Sequence, residues 1–424
     1  TIEVENMNSM FFNCKSLKTV DLSNFNVKNV STMENMFANC EKLEYLDLSS
    51  FKNSIVNNTM AGMFSNCSSL YIINLSNFET GLVTNMAYMF SNCNSLTTIN
   101  LSSFNITNVK NISHMFYECN SLQSLDLSSF TEPSIEDMSF IFTNCSNLTS
   151  LNLVHMNTSE VTDMKYIFYG CQKLTSINLS NFDTSKVINM EYMFANCFSL
   201  DNLNITFFNT SSTINMAGLF KNCETLEKID VSSFDTINVK NMESMFDGCS
   251  NLTSLDVLNF NTTNVTNMAH MFAKCNSLKS IDLLSFDTGN VKDMNHMFQK
   301  CETIKVLNLS FFDTNNVQNM GHMFDSCKSL TSIDFFIKQS EGDKIKNDND
   351  DFNEISDDFS QEIKDFNNNN NIKVTFITNK VNNMENMFSN CIKLNKINVS
   401  HFDVSNVINM NDMFTNCARG QGFR

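Results

Sequence analysis

Fifteen cysteines are the first residues in this chain that could do chemistry, as thiolate nucleophiles, disulfide partners or ligands for a soft metal. They stand at Cys14, Cys40, Cys67, Cys93, Cys119, Cys145, Cys171, Cys197, Cys223, Cys249, Cys275, Cys301, Cys327, Cys391 and Cys417. Each step is 26 residues except one of 27 and one of 64. No C-x-x-C occurs, so zinc finds no preformed pair of ligands. A regular grid on an apolar stripe points instead to buried free thiols, with a disulfide ladder and a metal site as the alternatives. Helices in a stack lie roughly 8–10 Å apart, whereas a disulfide needs Cα atoms about 5.5 Å apart.

Two further columns share the grid. Seven residues after the Cys stands Asp or Asn, as at Asp21, Asp47, Asn74, Asp126, Asn152, Asp230, Asp256, Asp282, Asn308, Asp334 and Asn398. Its neighbours on both sides are apolar and face inward, so it faces out. In register this makes a file of carboxylates and amides at about 4.8 Å spacing. It is either a side-chain hydrogen-bond ladder or a ligand or cation face, for which Asp126, Asp230, Asp256 and Asp282 are the candidates. Five residues before the Cys stand Tyr88, His114, Phe140, Tyr166 and Tyr192, and later His270, His296 and His322. On a helix this position is exposed. With Tyr117 and Tyr169 close by, the rings of Tyr88, Phe140, Tyr166 and Tyr192 are a candidate protein interface, the alternative being burial against adjoining copies. The histidine triplet reads as a solvated face, because helix spacing is too wide for chelation. Beyond these columns catalysis has little material: no G-x-S-x-G, no H-E-x-x-H and ten Gly in all. No enzyme activity, cofactor or metal is expected.

The elements that hold these columns follow from the repeat. Phe stands three residues before every Cys, and Met stands seven before in every copy but the one with Ile112. Met also stands four before, except where Ile141, Ile167 and Leu219 replace it. Positions −7, −4, −3, 0 and +3 around the Cys match the i, i+3, i+4, i+7 rule, which predicts a short helix. The Asn, Asp or Thr just ahead of the Met is placed as its N-cap. Leu122, Leu125, Leu127 and Phe130 then switch to period 2, which predicts a short strand. One helix and one strand cannot bury their apolar faces alone, so the copies must stack. The expected fold is an α/β solenoid of about fifteen repeats, with a parallel sheet on one face and short helices on the other. Residues 1–335 would hold thirteen copies and residues 374–424 two more with a tail. Between them, residues 336–373 are an acidic, Asn-rich insertion, expected to be disordered. A calcium loop at Asp348, Asp350 and Asp351 is the alternative, although Phe352 stands where an EF-hand needs an oxygen.

Charge narrows the partners. A net charge of −17 argues against nucleic acid, which needs a basic groove. No run of about 18 apolar residues is present, so no transmembrane segment is expected. The chain starts at Thr1, so a mature form or a piece of a longer chain is expected.

At this point the motif is recognisable. VxNMxxMFxxCxxLxxLDLSxFxTxx, as in Val239–Asn264, resembles the 26-residue bacterial surface protein repeat of the BspA-like leucine-rich repeat group. The resemblance covers the chain outside the insertion. It implies a leucine-rich-repeat-like right-handed superhelix, displayed at the cell surface or secreted, that mediates adhesion or binds proteins or surface glycans. It carries over no catalytic residue and no single ligand. The alternative is the structural protomer of an extracellular filament or coat, self-associating through its ends or its exposed helix face.

Overall fold

Each copy closes one coil, and coils stack through backbone hydrogen bonds. The computed structural model describes residues 3–52, 55–131, 135–335, 376–395, 397, 399 and 402–417. The insertion, with its disordered-loop and calcium-loop readings, lies outside the described residues, as does Asn398. In the coil of Cys171, the N–H groups of Met164, Tyr166, Phe168 and Gly170 donate to the carbonyls of Asn189, Glu191, Met193 and Ala195 in the next coil, at 2.8–2.9 Å. Between them, Tyr169 and Cys171 donate back to Tyr166 and Phe168 in their own coil, closing i to i−3 turns.

The expected row of helices is therefore not found among the described residues. A helix needs φ near −63° throughout. Here two residues four apart in each of these coils are left-handed, such as Tyr166 at 57° and Gly170 at 71°. The residue before the Cys is mostly Asn, which tolerates that conformation (Asn39, Asn144 and Asn196 lie at 58–62°). Turns repeating every four residues turn the same positions inward as a helix would, so the apolar spacing fits both. The Asn or Asp ahead of the Met caps a turn instead of a helix. Asn85 Oδ1 accepts the Ala87 N–H at 2.9 Å, and Asp163 that of Lys165 at 3.0 Å. These residues also bridge in parallel, from Thr59↔Asn85 through to Asn383↔Asn409.

Among the described residues the strand side holds four parallel pairs and no single sheet: β1 (Tyr45–Asp47) with β2 (Ile72–Asn74), β3 (Ser124–Asp126) with β4 (Ser150–Asn152), β5 (Ser176–Ile177) with β6 (Asn202–Leu203), and β7 (Val306–Asn308) with β8 (Ser332–Asp334). Registers join equivalent residues, such as Leu125 to Leu151 and Leu307 to Ile333. The coarse class thus stands as a repeat solenoid with parallel strand pairs.

Between the two terminal coils, the Met, Phe and Cys columns and the Leu or Ile three residues after each Cys are buried. The Phe rings three before each Cys stack face to face along the axis, at 5.0 Å for Phe11–Phe37 and 6.1 Å for Phe116–Phe142. Such pairs contribute about 0.5–1.5 kcal/mol each beyond area burial. A column of threonines staples one corner. Thr158, Thr184, Thr210, Thr236, Thr262 and Thr288 are buried, and each hydroxyl donates to a carbonyl of the next coil at 2.7–2.9 Å. The stack runs on past the insertion: Met320 N–H meets the Asn383 carbonyl at 3.0 Å, and the Phe324 and Phe388 rings lie 5.4 Å apart.

Candidate binding faces

Coil spacing decides what each column can do. Because neighbouring coils exchange backbone hydrogen bonds, they stand about 4.8 Å apart, about half the helix spacing expected from the sequence. Rings at equivalent positions must stack. Tyr88, His114, Phe140, Tyr166 and Tyr192 form one pile with successive centroids at 4.3, 4.5, 4.8 and 5.1 Å. Tyr117 leans on His114 at 5.5 Å, while Tyr169 leans on Tyr166 at 5.3 Å and meets Tyr192 edge-on at 6.4 Å. Lys165, paired with Asp163 at 2.9 Å, lies over the Phe140 ring at 5.7 Å. The structure gathers all six predicted aromatic residues together with His114, which shares their column in the repeat. They are half-buried by one another, apart from Tyr88, which is 45% exposed.

Burial shapes the chemistry of this ridge. It pushes the Tyr166 phenol up to about 12, helped by the Glu191 carboxylate. Burial also raises Tyr117, seconded by its bond to Glu118, and raises Tyr192 against the opposing pull of Lys221. These hydroxyls remain protonated donors at neutral pH. Burial lowers His114, whose Nδ1 is enclosed without a hydrogen-bond partner. The pile is bounded by Gly62 and Gly218 in the same column. Gly218 is left-handed at φ +59°, and a Cβ there would stand 2.4 Å from Tyr192 ring carbons.

On the strand side the carboxylates are already engaged. Asp126 Oδ1 accepts the Ser128 N–H and the Asn152 amide, both at 2.9 Å. Asp47 does the same with Ser49 and Asn74, at 2.9 and 3.0 Å. Asp230, Asp256 and Asp282 each accept the N–H two residues on, at 2.9–3.1 Å. Bonds from Ser128 and Ser232 hold Asp126 and Asp230 below the usual carboxylate range. All three full-length strand pairs join an Asp to an Asn across the column. No described pair joins Asp230 to Asp256 or Asp256 to Asp282, where like charges would face each other. Among the described residues, no group of three His, Cys, Asp or Glu is placed to hold a metal ion.

The thiols are free, and thirteen are buried. The reason given by the sequence needs correcting, because adjacent coils are far closer than helices. What occupies each buried sulfur is a carbonyl. Cys171 Sγ donates to Phe142 at 3.3 Å, Cys197 to Phe168 at 3.1 Å and Cys327 to Phe298 at 3.0 Å. Burial pushes Cys119, Cys197 and Cys301 up to about 12. A thiolate is the reactive form, so these sulfurs are inert. Iodoacetamide at pH 8 is expected to leave the buried thirteen unlabelled in native protein and to reach all fifteen after denaturation. Intact-mass spectrometry showing many labels on folded protein would place the sulfurs in water.

Sequence reasoning missed two polar features. The threonine column sits in the repeat as the T of SxFxT, but a small polar residue after a Phe reads as loop. Asp247, with its side chain 2% exposed, binds Lys221 at 3.0 Å and Lys274 at 3.2 Å. Nothing in the repeat pattern signals that node, since it occurs once among the described residues.

A family model described as "Mycoplasma protein of unknown function, DUF285" matches overlapping segments at residues 1–72, 54–150, 136–255, 214–336, 247–366 and 336–421. It tiles the grid on which the likeness to BspA-like leucine-rich repeat surface proteins rests, and that likeness holds. No curated protein matches the sequence. Among solved structures, the chain is similar to a leucine-rich repeat protein from Bacteroides ovatus at 21% identity, covering 71% of this chain and 75% of that one, with a TM-score of 0.46. It is also similar to a leucine rich cell surface protein from Faecalibacterium prausnitzii (18% identity, 69% and 76% covered, TM-score 0.37). A third is a leucine-rich repeat protein from Eubacterium ventriosum (11% identity, 84% and 85% covered, TM-score 0.35). No helix among the described residues is long and apolar enough to cross a membrane.

Proposed function

We propose that this chain, which belongs to the family described as Mycoplasma protein of unknown function, DUF285, is a non-enzymatic recognition solenoid that holds a protein partner on its aromatic ridge. One observation carries the reading: seven rings, from Tyr88 to Tyr192, collect on five consecutive coils and are only half covered. Half-exposed aromatic clusters of this kind mark contacts. Stacked rings are also fixed before binding, so little side-chain entropy is lost when a partner docks. Cell-surface or secreted display is the setting that the BspA-like likeness supports. The same reading takes residues 1–335 and 374–424 as one right-handed solenoid of about fifteen repeats, interrupted at 336–373. Asp126, Asp230, Asp256 and Asp282 form the second candidate face, with surface glycans as the second class of partner.

The test compares binding to a panel of immobilised matrix proteins and glycans. Tyr117→Ala with Tyr169→Ala should weaken binding to the protein members about 30–1,000-fold, at about 1–2 kcal/mol per lost anchor. Asp126→Asn with Asp256→Asn should leave it unchanged. The reverse pattern moves the site to the strand face. Concentration-dependent fibres in electron micrographs, with no binding to the panel, would favour the filament protomer.

A further inference from the structure

Past Gly218 and Ser244, the ring column resumes in a different chemistry. His270, His296 and His322 lie ring on ring, with centroids 4.3 and 4.5 Å apart and planes within 11°. Each is half-buried in the left-handed backbone that Tyr166 also adopts, at φ 57–58°. Charged groups surround the stack. His270 faces Asp247, Glu243, Lys221 and Lys274. His296 faces the other two imidazoles, Asp325 and Asp293, and its Nδ1 lies 2.6 Å from Asn295 Oδ1. His322 Nδ1 lies 3.2 Å from Asp325 Oδ2. From the coil beyond, the Glu385 carbonyl accepts the His322 N–H at 2.7 Å.

We propose that this triple-histidine stack is an acid-sensitive latch, which holds the coils from His270 to His322 together while its rings are neutral and releases them on protonation. Three parallel imidazoles at these distances cannot all carry charge without strong mutual repulsion. Two carboxylates near the middle ring offset part of that cost, but burial and the flanking rings prevail. They push His296 down to about 4, against about 6.5 for a free imidazole. Burial lowers His270 as well. Depressed folded values mean that His270 and His296 exclude, in the closed stack, protons that they accept once it opens. Its contribution is therefore complete above pH 6.5 and is lost as pH falls from 6.5 toward 4. At pH 5.5, proton uptake by His296 alone favours the opened coil about ten-fold.

The molecule supplies its own control. Tyr166 and Tyr192 occupy this column in the same backbone conformation, so His270→Tyr, His296→Tyr and His322→Tyr place a ring the fold already accepts. Hydrogen exchange, corrected for intrinsic rates, is compared at pH 7.5 and 5.5. Wild-type protection over 268–325 should fall about ten-fold or more, while residues 138–197 keep theirs. The triple variant should show no such fall. Unchanged wild-type protection, or an equal fall in the variant, would overturn the latch. Ring resonances of histidine-labelled wild-type protein give a second reading that needs no variant. His296 titrating near 6.5 in the folded protein would also overturn it.

Discussion

Replacing Phe168 with alanine is expected to remove about 3–5 kcal/mol of local stability, the usual cost of emptying a buried phenyl site. Phe168 is fully buried between Phe142 at 5.7 Å and Phe194 at 5.5 Å, so the cavity also breaks two ring contacts. Its carbonyl anchors Cys171 N–H and Cys197 Sγ, each at 3.1 Å, and any backbone shift disturbs both. In a solenoid each coil touches only its neighbours, so the damage should stay local. Hydrogen exchange should rise across residues 138–200 and fade by residue 270. Phe168→Leu keeps most of the buried area and should recover more than half of the loss. A loss below about 1 kcal/mol would mean that this phenyl site is not close-packed.

Thr236→Val should cost about 1–3 kcal/mol, although the side chain keeps its shape and stays buried. The Thr236 hydroxyl donates to the Asn261 carbonyl and accepts the Asn261 N–H, both at 2.8 Å. Valine removes both hydrogen bonds to Asn261, which is itself exposed, and each such bond contributes about 0.5–1.5 kcal/mol. Thr236→Ser retains the hydroxyl and should stay within about 1 kcal/mol of wild type. Urea unfolding followed by tyrosine fluorescence reads the difference without interference, because the chain has no Trp. Equal stability of the valine and threonine proteins would show that the corner does not depend on these hydroxyls.

How far these columns could be read beforehand depended on the physics behind each. Cys171 and Phe168 point inward under any periodic packing, so the apolar pattern was enough to bury them. Tyr166 was harder. Its position in the repeat was plain, but the spacing i, i+3, i+4, i+7 suits successive four-residue turns as well as a helix. Only the Asn-rich position before the Cys, a favourable place for left-handed backbone, hinted at the turns. That single choice carried the coil spacing with it. Helices would have kept His270, His296 and His322 apart and solvated, whereas hydrogen-bonded coils press them into contact. Asp126 and Asn152 were legible as a ladder because a polar residue between two inward leucines must face its equivalent on the next coil. Thr236 was not, because a hydroxyl's value lies in a partner 25 residues away, and local pattern does not reveal that partner.

The joint between Phe324 and Phe388 has a practical meaning. Their rings meet at 5.4 Å although 64 residues separate them, inside the range set by pairs only 26 apart. Closing the longer connection costs only about 0.8 kcal/mol more in chain entropy, a small sum beside two stacked coils. Neighbours in this rod therefore recognise matching surfaces and are indifferent to the path of the chain between them. Evolution, or an engineer, can splice foreign cargo at such a seam and leave the rod itself unaltered.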